Sequence, residues 1–100
     1  MPISLIEVLG MWIRRTPVRP MRRAWARVER AGLPVTLNQL EAHSLAGGNV
    51  ERVVEAMLAA RASGLRDDFP LLSAVDLVGK DPMAAVTHRY DLRAIGLADA

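Results

Sequence analysis

Two stretches of this 100-residue chain carry the same start and stop signals at an offset of 32 positions, and that punctuation constrains the fold more than any other feature. Thr36 followed three residues later by Gln39 is a capping box, predicting a helix from Leu37 to about Ala46 with Leu37, Leu40 and Leu45 inward. Gly47 and Gly48 stop it. Asn49 is an N-cap for a second helix from Val50 to about Ser63, whose apolar stripe is Val50, Val53, Val54, Met57 and Leu58 and whose stop is Gly64. Asp68 then caps a helix carrying Phe69, Leu72, Val75 and Val78 to Gly79, and Asp81 with Pro82 opens a last helix holding Met83, Val86 and Tyr90. Overlaid, Thr36 meets Asp68, Leu40 meets Leu72, Gly47 meets Gly79, Asn49 meets Asp81 and Val54 meets Val86. Two helix–Gly–Asx–helix hairpins follow, each burying one face against the other, whether by duplication or by coincidence of two equally long capped pairs.

Ahead of the hairpins, Ile3 to Ile13 is apolar except for Ser4, Glu7 and Gly10, which share one narrow helical stripe. Pro17 and Pro20 bracket a bend, after which Met21 to Ala31 reads as a helix ended by Gly32. Met21, Trp25 and Val28 share one face, and Arg22, Arg23, Arg27 and Arg30 spread over the others. Beyond Asp91 the tail is weakly patterned and is expected to fray. The chain thus divides into an apolar helix (1–16), a basic helix and linker (17–35), a hairpin core (36–91) and a tail (92–100). With 51% hydrophobic residues but only four aromatics, and with Ala and Leu dominant, the composition fits packed helices. The expected fold is all-α: a compact bundle of five or six short helices with Leu37, Leu40, Leu45, Val50, Val53, Val54, Met57, Leu58, Leu72, Val75, Leu77 and Val86 in the core.

The net charge of +2 conceals an asymmetry. Residues 1–30 hold seven Arg against two Glu, and residues 31–100 hold six basic against nine acidic side chains. A basic end expects an anionic surface, although arginine usage also follows genomic base composition. The eleven residues Ile3–Ile13 span about 16 Å as a helix, too short for a bilayer core of about 30 Å. An apolar run, then Trp12, then an arginine cluster is the order of an interfacial helix. The candidate membrane or partner contacts are therefore Leu5, Ile6, Leu9, Trp12, Arg14, Arg15, Arg22, Arg23 and Arg27. The competing reading packs the first helix into the domain core.

Chemistry is poorly supported. Cysteine is absent and there are two histidines, so thiolate zinc sites, thiol nucleophiles and multi-His metal sites are excluded. His43 reads as a buried ring hydrogen-bonded within its own hairpin rather than as a ligand, and Asp67 with Asp68 as capping charges. No nucleophile elbow or phosphate loop is present. We expect no enzyme activity, cofactor or metal. A helix-turn-helix DNA reader around Glu41–Ala60 is disfavoured because its second helix opens Asn49-Val50-Glu51-Arg52, near neutral, with the basic residues elsewhere. Leu45 to Leu58 is also similar to the second half of ubiquitin-associated-type modules, which makes a soluble protein-binding or self-associating domain the alternative.

Asn38-Gln39-Leu40-Glu41, His43 and Leu45-Ala46-Gly47-Gly48-Asn49-Val50 through Val53-Val54 resemble the bacterial flotillin-like FloA family. So do Ala74-Val75-Asp76-Leu77-Val78-Gly79-Lys80-Asp81 with Ala85-Val86 and, more loosely, Leu9-Gly10-Met11, Arg14-Arg15 and Ala31-Gly32-Leu33. The likeness covers about residues 3–86 and leaves the family's path at Thr87-His88-Arg89-Tyr90-Asp91. It implies a non-enzymatic scaffold that organises microdomains at the cytoplasmic face of a bacterial membrane, homo-oligomeric in its full-length context. It also implies a membrane segment before this stretch and a β-rich domain with an oligomerisation tail after it, so the chain reads as a fragment or a truncated relative.

Overall fold

A computed structural model describes residues 18–97. Within them lie five helices and no strand: α1 (Val18–Ala31), α2 (Leu37–Leu45), α3 (Val50–Ala62), α4 (Phe69–Leu77) and α5 (Pro82–Thr87). The all-α architecture is thus present, with α2 and α4 the same length and separated by the 32-residue offset. The apolar run Ile3–Ile13 lies outside the described residues.

Local chemistry sets each boundary. Thr36 Oγ1 accepts from Gln39 N at 3.1 Å while Gln39 Oε1 accepts from Thr36 N at 2.8 Å, closing both halves of the capping box. Asn49, Asp68 and Asp81 accept from Arg52 N, Leu71 N and Met83 N, satisfying amide groups that the first helical turn leaves without partners. At the other ends, Gly48 N reaches His43 O at 2.9 Å and Lys80 N reaches Val75 O at 3.1 Å, the six-to-one bond of a left-handed helix stop. Gly47 supplies the required positive φ of 96°. α1 begins three residues earlier than its periodicity predicts, because Pro20 falls in the first turn, where a missing N–H costs no hydrogen bond.

α3 is the central helix. Val53, Val54, Ala56, Met57 and Ala60 are fully buried along it, against Ala24 and Val28 of α1, Leu40 of α2, Leu72 and Val75 of α4, and Ala85 and Val86 of α5. Four small side chains, Ala24, Ala56, Ala60 and Ala85, are wholly buried and let the helix axes approach closely. Three residues expected in the core are not there: Leu37, Leu45 and Leu77 are 38%, 45% and 47% exposed. Leu58 is half-buried. Each hairpin turns a narrower stripe inward than its sequence carries, and the second leucine row is left at the surface. Beyond α5, the half-buried Leu92, Ile95 and Leu97 pack against the core.

Candidate functional site

The most organised polar feature is a carboxylate in the interior. Asp76, in the last turn of α4, has a side chain only 1% exposed. Its Oδ2 accepts from His43 Nε2 of α2 at 2.7 Å and from the backbone N of Asn49 at 2.7 Å. Its Oδ1 accepts from Arg52 Nε of α3 at 3.1 Å, and Nη2 of the same guanidinium lies 2.9 Å from that oxygen in an ion pair. An ionised carboxylate only accepts, so His43 presents its Nε2–H here. Three donors from three segments therefore converge on one anion, and the charge is paired as burial requires. The expectation that His43 bonds within its own hairpin is corrected: its partner belongs to the other hairpin.

The loop is built around that ring. A Cβ on Gly48 would lie 2.1 Å from His43 Nε2 and 2.5 Å from Cδ2 and Cε1, so only glycine lets the chain pass. The ring itself is held edge-on to Phe69 with centroids 6.1 Å apart. The 32-residue offset supplies a control: His43 corresponds to Val75 and Gly48 to Lys80. Where no ring presses on the loop, the second glycine is not needed.

α1 supplies the basic surface. Arg23 Nε meets Glu51 at 2.8 Å and Arg27 Nη1 meets Glu55 at 3.4 Å, so two of the predicted contact arginines lie against α3 in exposed ion pairs. The shared +28 spacing makes α1 and α3 parallel. Arg61, at the far end of α3, donates to the carbonyls of Ala31 and Gly32 and to Asp67, closing the C-terminus of α1. Arg22 and Arg30 are exposed with Ala26 between them, two turns apart on one stripe, and neither has an ion pair among the described residues. Leu5, Ile6, Leu9, Trp12, Arg14 and Arg15 lie outside the described residues.

Other candidate chemistry is engaged elsewhere. Asp67 holds Arg61, and Asp68 caps α4. Among the described residues no group of three or more His, Asp or Glu side chains is arranged to hold a metal, and no helix is long and apolar enough to cross a membrane. The helix a DNA reader would insert opens with Glu51 paired to Arg23 and Arg52 bound to Asp76. Sequence reasoning missed Asp76, Arg52 and Arg61 as the side chains that tie the helices together. The available signal was a lone Asp in an otherwise apolar run, Leu71-Leu72-Ser73-Ala74-Val75-Asp76-Leu77-Val78.

Fold and site together define a small all-helical module whose buried charge is engaged with its own helices, with a basic edge on α1 facing outward. The family model described as flotillin-like protein FloA matches residues 1–97, and the chain belongs to that family. It is 42% identical over 94 residues to the flotillin-like protein FloA of Dictyoglomus turgidum and 43% identical over 93 residues to that of Staphylococcus aureus. Each alignment takes in 93% of this chain but only 29% and 28% of the relative, so the chain spans less than a third of the length of these proteins. The match to residue 97 corrects the expectation that the likeness ends near Val86. No solved structure matches the chain.

Proposed function

We propose that this chain is the membrane-proximal helical module of a flotillin-like scaffold, acting without catalysis at the cytoplasmic face of a bacterial membrane and contributing to microdomain organisation. The observation that carries this reading is the layout of α1. Its exposed stripe of Arg22, Ala26 and Arg30 leads back, through Arg19, Arg15 and Arg14 of the sequence, into the eleven-residue apolar run Ile3–Ile13, which has Trp12 near its end. One partly inserted helix gives marginal, reversible binding by itself, and each arginine near an anionic leaflet adds about 1 kcal/mol. The two together make a salt-sensitive attachment. The Asp76 cluster fixes the hairpins behind it as a rigid platform for whatever the rest of a longer protein assembles. Homo-oligomerisation belongs to that larger context.

Vesicle flotation tests the reading. The 100-residue chain is expected to float with vesicles of mixed anionic and neutral lipid at low salt and to be released as salt rises. Replacing Arg14, Arg15 and Arg22 together by Ala is expected to weaken binding at least about tenfold. Absence of binding at low salt, or indifference to that triple replacement, contradicts it. A second reading, a soluble protein-binding module, is favoured by one observation, the exposed apolar residues at the ends of α2 and α4.

A further inference from the structure

Four helix ends meet at one pole of the molecule. The backbone N of Asn49 on Asp76 brings the end of α4 to the start of α3, and the four-residue link Ala46–Asn49 brings the end of α2 there too. The Arg23–Glu51 pair sets the first turns of α1 beside them. At this pole Leu45, Leu77 and Val78 are 45%, 47% and 61% exposed, three of the four large exposed apolar side chains among the described residues. They adjoin a groove of about 260 Å³ between α2 and α4, lined mainly by Ala42, His43, Ala46, Phe69, Ser73 and Leu77. Small residues on the α2 side leave room for a helix to lie against it, as in helix-in-groove recognition.

We propose that this groove receives residues Ile3–Ile13 of the same chain when no lipid is present, and that an anionic bilayer competes for them. The segment enters at the right pole, because it leads into α1. Its expected helical length, about 16 Å, fits beside α2 and α4, which are about 14 Å each. Four residues, 14–17, separate it in the sequence from α1, a number within the range of an αα-hairpin connection. Eight large apolar side chains between Ile3 and Ile13 require a cover in water. Docked by them, the segment keeps Ser4, Glu7 and Gly10 outward. This rests on the lipid reading above only for the release step. Docking is independent of it.

Because the chain has no cysteine, paired replacements label it cleanly. Leu9→Cys with Ala46→Cys, treated with a short bismaleimide in lipid-free buffer, is expected to form an intrachain link at least tenfold faster than Leu9→Cys with Ala62→Cys. Added anionic vesicles are expected to suppress that link. Ala46→Arg, at an exposed site that leaves the helical circular dichroism unchanged, is expected to raise vesicle affinity several-fold by freeing the segment. Equal linking rates for the two pairs overturn the docking, as does a link that runs between two chains, which would make the occupant a second copy. An intrachain link that persists in a chain unable to float with vesicles upholds the docking and overturns the lipid reading instead.

Discussion

Gly48 has no positive φ, so its requirement for glycine comes from the side chain it touches rather than from its backbone. Gly48→Ala is expected to cost about 2 kcal/mol, the scale of overpacking in a filled interior. In a His43→Ala background the same replacement is expected to cost less than about 0.5 kcal/mol, and urea unfolding of the four proteins in that double-mutant cycle measures the coupling. Asp76→Ala is expected to destabilise the fold by about 3–5 kcal/mol, because it leaves the buried His43 donor and the part-buried Asn49 amide without an acceptor. Asp76→Asn retains one acceptor oxygen and is expected to be milder. None of this was legible from local sequence. His43 reads as a buried ring and Gly47-Gly48 as a stop, but the carboxylate that joins them lies 33 residues away from the histidine, and spacing carries no information about a partner in another hairpin.

Helix boundaries were legible because capping is chemistry within four residues. Thr36 with Gln39, Asn49, Asp68 and Asp81 mark where helices begin, and Gly47, Gly64 and Gly79 mark where they end. Thr36→Ala is expected to lower stability by about 1 kcal/mol, read as a lower urea midpoint with unchanged slope. Which apolar face turns inward was less legible. Leu37, Leu45 and Leu77 satisfy a helical stripe as well as Leu40 and Leu72 do, and only the positions of neighbouring helices separate them. The end of α5 shows a further element-scale effect. Arg89 and Tyr90 take left-handed angles of 52° and 65° there, and the Tyr90 hydroxyl donates to the carbonyl of Arg66. Partial burial is the main cause that raises the phenol above its usual value of 10.0. A raised folded-state value contributes stability that is complete below pH 10 and is lost as pH rises through the folded value. Alkaline titration of stability is therefore expected to show a loss above pH 10 that Tyr90→Phe removes.

At the scale of the whole molecule, the sequence conveyed an all-helical chain with a basic leading end, and the structure divides that basic end into two parts. Arg23 and Arg27 face carboxylates of α3 and hold α1 in place, so their replacement is expected to affect salt-dependent vesicle binding less than replacement of Arg14, Arg15 and Arg22. Charge asymmetry alone gave no means to separate the two sets, because the partners Glu51 and Glu55 lie on another helix. On the proposed function, the leading segment inserts at the lipid interface while the hairpins stay in water. Spin labels at Leu9→Cys and Ala62→Cys, read by collision with oxygen and with an aqueous nickel chelate in saturating anionic vesicles, test it most directly. An oxygen-accessible, nickel-protected label is expected at position 9 and a nickel-accessible label at position 62. Nickel access at both positions would contradict it.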